Sequence, residues 1–156
     1  MKPIAAIINS AAILAIAVVG FIAWKPVDSS APMNALRPGD PTVLVAGQRI
    51  YAERCASCHG TQLEGQPDWQ SRGADDLLPA PPHDATGHTW HHRDELLFRI
   101  TKFGVAKAIN LPDYKSSMPI YEDVLSDKEI VAVLSWIKSR WPASVRFKHD
   151  QFNAQP

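Results

Sequence analysis

Two cysteines and a histidine within one short segment constrain the fold of this chain more than any other feature. They belong to Cys55-Ala56-Ser57-Cys58-His59, and the chain has no other cysteine. A zinc site made of four cysteines is therefore excluded. A site of two cysteines and two histidines would need a histidine pair one finger-sized loop after the cysteines, and the sequence has none there. Zinc stays a minor alternative.

Two other chemistries use such a C-x-x-C-H segment. A redox dithiol lies at the N-terminus of a helix, where the positive end of the helix lowers the thiol pKa. In a haem attachment site, both thiols add to haem vinyl groups and the histidine reaches the iron. Here a helix is predicted before the cysteines, with Asp40 as N-cap, Pro41 at its first position and Arg54 near its end. The segment therefore follows a helix, which favours haem attachment.

Residues 1–25 are predicted to form an N-terminal membrane anchor or uncleaved signal. No charged residue occurs from Pro3 to Trp24, and about 20 apolar residues suffice to cross a bilayer as a helix. The alternative is a signal peptide cleaved near Ala15-Ile16-Ala17, which would leave a soluble periplasmic protein. We favour the anchor, because the apolar run continues past that point to Ile22.

The remainder of the chain divides into a linker at 26–39, a domain at 40–142 and a C-terminal tail at 143–156. The linker is rich in proline and serine, a composition typical of extended, semi-rigid spacers. Without the two lysines of the N-terminal segment, the chain has 14 basic and 16 acidic residues, which gives a net charge of −2. This balance gives no support to nucleic-acid binding.

The domain is predicted to be all-α. After the first helix, the segment 60–92 is rich in turn-forming residues, and a loop of that length is unusual unless it wraps a large group. A middle helix of about three turns begins at Asp94 and stops at Gly104. The last helix begins at the capping box Ser126-Asp127-Lys128-Glu129 and stops at Pro142. No segment alternates in the manner of a β-strand.

The order of these features resembles that of class I c-type cytochromes over roughly residues 40–142. The resemblance implies a cytochrome c fold of three main helices wrapped around one covalent haem, here preceded by an N-terminal transmembrane helix. It also implies that the first and last helices cross. The residues at the crossing would be Gly47, Tyr51, Val133 and Trp136.

The same resemblance implies the cofactor-binding residues of one covalent haem c. Cys55 and Cys58 form the thioethers, and His59 binds the iron through Nε2. The other imidazole nitrogen donates to a proline carbonyl of the following loop, somewhere in Pro79 to Pro82. Met118 is the expected second axial ligand, so His59 and Met118 are the metal ligands. No catalytic residue is expected.

A histidine-rich loop departs from the short loop of the family. It contains His83, His88, His91 and His92, and imidazoles are common ligands of copper and zinc. We favour a loop that wraps the haem edge, with Trp90 or a histidine bonding a propionate. Further candidates for the propionates, or for shielding the haem, are Arg72, Arg99, Lys102, Tyr114 and Tyr121.

These inferences predict an electron carrier and not an enzyme. It would pass single electrons between redox partner proteins of a respiratory chain, without nucleic acid or small-molecule substrate. Because bacteria attach haem c outside the cytoplasmic membrane, the domain is expected in the periplasm, on a single-pass anchor. One alternative is a dedicated electron-accepting subunit of a specific dehydrogenase or oxidase. Another is a haem enzyme or sensor with an open iron site.

Overall fold

A computed structural model of the chain describes residues 35–155. This part contains helices but no β-strand, which confirms the all-α prediction. The helices are α1 (Pro41–Arg54), α2 (Ala56–His59), α3 (Asp94–Phe103), α4 (Val105–Ala108), α5 (Asp127–Ser139) and α6 (Ala143–Asn153), with a 3₁₀ helix at Thr89–His91.

The predicted transmembrane helix lies outside the described residues. Within the part that the structure describes, no helix has the length and apolar character needed to cross a bilayer.

The predicted starts of the first and last main helices are confirmed. The Asp40 side chain accepts hydrogen bonds from the backbone N–H groups of Thr42 and Val43 at the start of α1. At the start of α5, Ser126 and Glu129 form a complete capping box, each side chain bonding the backbone of the other. Both caps use residues that are close in sequence, which is why the sequence reveals them.

Helices α1 and α5 cross at Gly47, as expected. A Cβ atom built on Gly47 would lie 2.8 Å from the Cβ of Trp136 and closer still to the carbonyl oxygen of Ala132. The ring of Tyr51 packs on that of Trp136, with 4.7 Å between centroids. Val133, also expected at this crossing, lines the large cavity described below. The glycine therefore lets the backbones of α1 and α5 approach each other closely.

Helix α6 occupies the segment predicted as a C-terminal tail. Its sequence has no continuous apolar stripe, and tertiary contacts hold it instead. The Nε2–H of buried His149 donates to the carbonyl of His92 at 2.9 Å, and its ring meets Trp141 edge-on. Beside it, buried Lys138 bonds Asp150 at 2.6 Å and lies 3.7 Å from Asp94. These contacts fasten α6 to the histidine-rich loop and to α5, and Lys138 in turn joins α5 to α3.

Acid is expected to weaken this attachment through His149. Burial, and then the neighbouring Lys138 cation, lower the pKa of His149 below its ordinary value. As the pH falls through about 6.5, the unfolded chain gains a proton that the folded chain resists, so stability decreases. Urea unfolding at about pH 7.5 and about pH 5.5 should show a smaller loss for His149→Gln than for the parent protein. Equal losses would contradict the assignment.

Candidate cofactor site

One cavity of about 620 Å³ lies among α1, α3, α5 and the long loops, and its walls are mostly apolar. Its volume is in the range of about 300–1,000 Å³ that is typical of cofactor sites. The fold brings together in its lining the four residues expected to hold the cofactor. These are Cys55, Cys58, His59 and Met118.

The cysteine segment is held at both ends by tyrosine hydroxyls. Tyr121 donates to the carbonyl of Arg54 at 2.8 Å, and Tyr51 donates to the carbonyl of Gly60 at 2.7 Å. Burial raises the pKa of Tyr51, which keeps its hydroxyl protonated as a donor. The two contacts set the backbone that carries the thiols against the cavity.

The pKa of the Cys55 thiol is shifted in the wrong direction for a redox dithiol. Cys55 ends α1 and also precedes α2, a helix of four residues that the sequence analysis did not foresee. Burial, and then the nearby Cys58, raise the pKa of Cys55 to about 11. Reactive redox cysteines have lowered pKa values. Both thiols are free, with Cys58 exposed, so they remain open to bond formation with a group in the cavity.

The imidazole of His59 has a defined tautomer. Its Nδ1 lies 2.8 Å from the carbonyl oxygen of Pro81. A carbonyl only accepts, so Nδ1 carries the hydrogen and Nε2 keeps its lone pair. Burial lowers the pKa of His59, which favours the neutral ring. Neutral imidazole with one N–H tied to a carbonyl is the usual state of a metal ligand.

The carbonyl that orients His59 belongs to a rigidly held segment. Three successive carbonyls each accept a hydrogen bond from a side chain elsewhere in the domain. The donors are His59 Nδ1 to Pro81, Thr89 Oγ1 to Pro82 at 3.4 Å, and Trp141 Nε1 to His83 at 2.7 Å. The acceptor of the His59 hydrogen bond therefore has little freedom to move.

Two glycines pack against the same segment. A Cβ atom on Gly65 would lie 2.7 Å from the carbonyl carbon of Pro81, and one on Gly87 would lie 2.7 Å from that of Pro82. Only a residue without a side chain allows these approaches. Both glycines thus belong to the support of the site, a role that the sequence analysis did not assign them.

Met118 lies in the irregular segment between α4 and α5. Its backbone N–H donates to Ser116 Oγ at 3.1 Å, and Pro119 follows it. The side chain is half-buried and lines the same cavity as His59. A thioether and an imidazole are thus available to one occupant of the cavity. Both are ligands that iron accepts in proteins.

The histidine-rich loop contributes to the cavity wall. His83, His88 and His92 line it, whereas His91 is exposed and packs on Trp90 at 3.7 Å between centroids. Across residues 35–155, no group of three or more His, Cys, Asp or Glu side chains is arranged to hold a metal ion. The loop therefore offers no support for a separate copper or zinc site.

The structure also reassigns several expected propionate partners. Trp90 Nε1 donates to the carbonyl of Ala85 at 3.3 Å and is not available to the cavity. Lys102 pairs with Asp127 at 2.6 Å and does not line the cavity. The two arginines that were expected near the propionates, Arg72 and Arg99, do not line it either.

Two residues that were not expected at the site, Trp69 and Gln70, also line the cavity. Trp69 stacks on His88 with 5.1 Å between centroids, and His88 and Arg54 line the cavity beside it. Trp69 lies in a stretch without periodicity, so no sequence signal distinguishes it from an ordinary loop residue.

The cavity, the free thiols and the oriented imidazole fit a covalently attached haem. A comparison with protein-family models matches the cytochrome c family at residues 44–141, more than half of the chain. Comparisons with curated protein sequences and with solved structures give no match. The chain belongs to the cytochrome c family, and it is an electron-transfer protein with covalently bound haem c that exchanges electrons with redox proteins.

Proposed function

We propose that this protein is a class I, monohaem cytochrome that is tethered to the cytoplasmic membrane. It carries single electrons between redox proteins on the periplasmic side. The observation that carries the proposal is the cavity itself, whose lining combines the C-x-x-C-H segment with Met118. The single motif accounts for one haem.

In this proposal Cys55 and Cys58 attach the haem, and His59 and Met118 ligate its iron. When bound, haem c supplies a one-electron couple between ferrous and ferric iron. The chain supplies the rest. The Pro81 carbonyl orients His59 and raises its basicity as a ligand. The Met118 thioether would favour the reduced state, and ligation by both residues would leave the iron without a site for a substrate.

The apolar walls have two effects. They exclude water from the cavity, and they lower the local dielectric, which disfavours additional positive charge on the iron. Helices α3 and α5 contribute six aliphatic side chains to this wall, which are Leu96, Leu97, Ile100, Val133, Leu134 and Ile137.

Exposed apolar residues near the methionine segment favour a protein as the electron partner. Leu111 is 54% exposed and Ile120 is 58% exposed, and Ile109 at the cavity wall is 37% exposed. Apolar side chains grouped on a surface are typical of protein contact sites. Cys58 is exposed as well, so the attachment edge of the cofactor would be accessible at the surface.

Covalent attachment is tested by removing the thiols. We expect acidified acetone to leave haem on the wild type and on the Cys55→Ala and Cys58→Ala single variants, but to remove it from the double variant. The reduced pyridine haemochrome band of each single variant should shift, because one vinyl group stays unsaturated. Met118→Leu is the matched control and should keep both thioethers. Extraction of haem from the wild type would contradict the proposal.

Membrane tethering rests on the N-terminal apolar segment alone, so it is tested by cell fractionation. The full chain should be found with the membranes as a haem-stained band. A form that begins at Ala35 behind a cleavable export signal should be periplasmic and soluble. Full-length haem protein in the soluble fraction would contradict the tether. Copurification with a single dehydrogenase or oxidase would instead indicate a dedicated subunit.

A further inference from the structure

A second imidazole lies directly against the proposed iron ligand. The rings of His59 and His83 are stacked, with 3.9 Å between centroids and 20° between planes. Both rings line the large cavity. The proposed ligation and thioether attachment do not use His83, so its position needs a separate explanation.

The His83 ring is also held at its edge by Thr89. Its Nδ1 lies 2.8 Å from Thr89 Oγ1, and that hydroxyl donates its own hydrogen to the Pro82 carbonyl. Since the hydroxyl hydrogen is used, Oγ1 accepts from His83 Nδ1–H. Thr89 is buried, which shields this pair of hydrogen bonds from water.

The backbone of His83 is equally constrained. Its N–H donates to the Leu63 carbonyl at 2.8 Å, and its carbonyl accepts from Trp141. The ring is therefore fixed both at the main chain and at its Nδ1 edge. Such a ring can transmit that rigidity to a neighbour stacked on its face.

We propose that His83 is a positioning residue for His59: its stacked ring, anchored by Thr89, sets the plane of the axial imidazole and stabilises the oxidised haem. This inference rests on the proposed ligation of iron by His59. It adds a residue that touches neither the iron nor a thioether, and that acts through the ligand.

Two physical effects lead to this role. The hydrogen bond to Pro81 restrains only the Nδ1 edge of the His59 ring, and the stacked face of His83 restrains rotation about the remaining axis. In addition, an imidazole bound to ferric iron is more positive than one bound to ferrous iron. The electron-rich face of a neutral aromatic ring attracts such positive charge. Removing that face should therefore make the haem easier to reduce.

The test uses the haem-loaded protein and three substitutions. His83→Leu keeps apolar volume but loses the flat ring. His83→Phe keeps the ring but loses the bond to Thr89, and Thr89→Val removes the anchor while retaining His83. The two measurements are the electron paramagnetic resonance spectrum of the ferric haem, which reports the ligand plane, and the midpoint potential.

For His83→Leu we expect shifted g-values and a higher potential. The one-electron equilibrium should change by about threefold, which corresponds to about 28 mV at 59 mV per tenfold. For His83→Phe we expect a potential close to that of the wild type. For Thr89→Val we expect a broader ferric signal, because the His83 ring loses its anchor.

Unchanged g-values and potential in His83→Leu would overturn the inference and leave His83 with ordinary packing. If that variant does not bind haem, unchanged signals in Thr89→Val together with a potential of His83→Phe that is clearly above the wild-type value would overturn it instead. Failure of the ligation itself has a different signature. In that case the wild-type ferric spectrum would lack low-spin haem with a nitrogen ligand.

Discussion

Replacing Met118 with alanine is expected to abolish the far-red charge-transfer band of the ferric protein. It should also lower the midpoint potential by roughly 0.2 V, which is a quarter of the range of about 0.8 V over which axial ligands set the potential of haem. A thioether stabilises ferrous iron, and alanine offers no ligand in its place. Met118 lines the same cavity as His59, which is why the effect should be this large. Absorption spectroscopy and a redox titration measure both quantities.

Two further variants separate loss of the ligand from loss of the fold. Met118→His should lose the far-red band but remain low-spin, because imidazole replaces the thioether. Ser117→Ala changes an exposed neighbour in the same segment and should retain both the band and the potential. A far-red band that survives in Met118→Ala would identify some other residue as the ligand.

Replacing Gly47 with alanine is expected to cost about 3 kcal/mol of unfolding free energy, the upper part of the range for an overpacked contact. The new methyl group would press on the carbonyl of Ala132 and on the Cβ of Trp136, which lies only 2.8 Å away. Neither is the flexible end of a long side chain, so relief requires the two helices to separate. Denaturant unfolding of the haem-loaded protein measures the loss.

The matched control is Gly39→Ala. A Cβ atom at Gly39 would meet nothing within 4 Å, so that substitution should leave stability close to the wild-type value. In an exposed helix, alanine in place of glycine would normally stabilise by about 1 kcal/mol. A gain of that kind at Gly47 would contradict the close crossing of α1 and α5.

The all-α fold was predictable because its main signals are local. Asp40 caps α1 by bonding backbone N–H groups two and three residues further along the chain. Ser126 and Glu129, which are three residues apart, cap α5 in the same local way. The same holds for the cysteine segment, whose spacing, together with the helix predicted before it, favours haem attachment. Gly47 was expected at the helix crossing from the resemblance to class I c-type cytochromes, and the structure confirms this.

Helix α6 and the histidine-rich loop were not predictable in the same way. α6 is held by His149 and by the buried Lys138 rather than by an apolar stripe. Trp90 was one of two alternatives for bonding a propionate, the other being a histidine, and in the structure its N–H instead donates to the carbonyl of Ala85. In these cases a polar side chain has several partners of similar chemistry within reach, and only the folded loop selects one.

The sequence by itself determined the cofactor chemistry, through two cysteines and a histidine in one segment, and the helices that frame it, through caps and periodicity. Only the tertiary structure decided which carbonyl orients His59, since the sequence left the choice open from Pro79 to Pro82 and the fold selects Pro81. It alone placed His83 on the face of His59. The physical reason is distance along the chain: these contacts join residues more than 20 positions apart, and their geometry depends on how the whole loop folds.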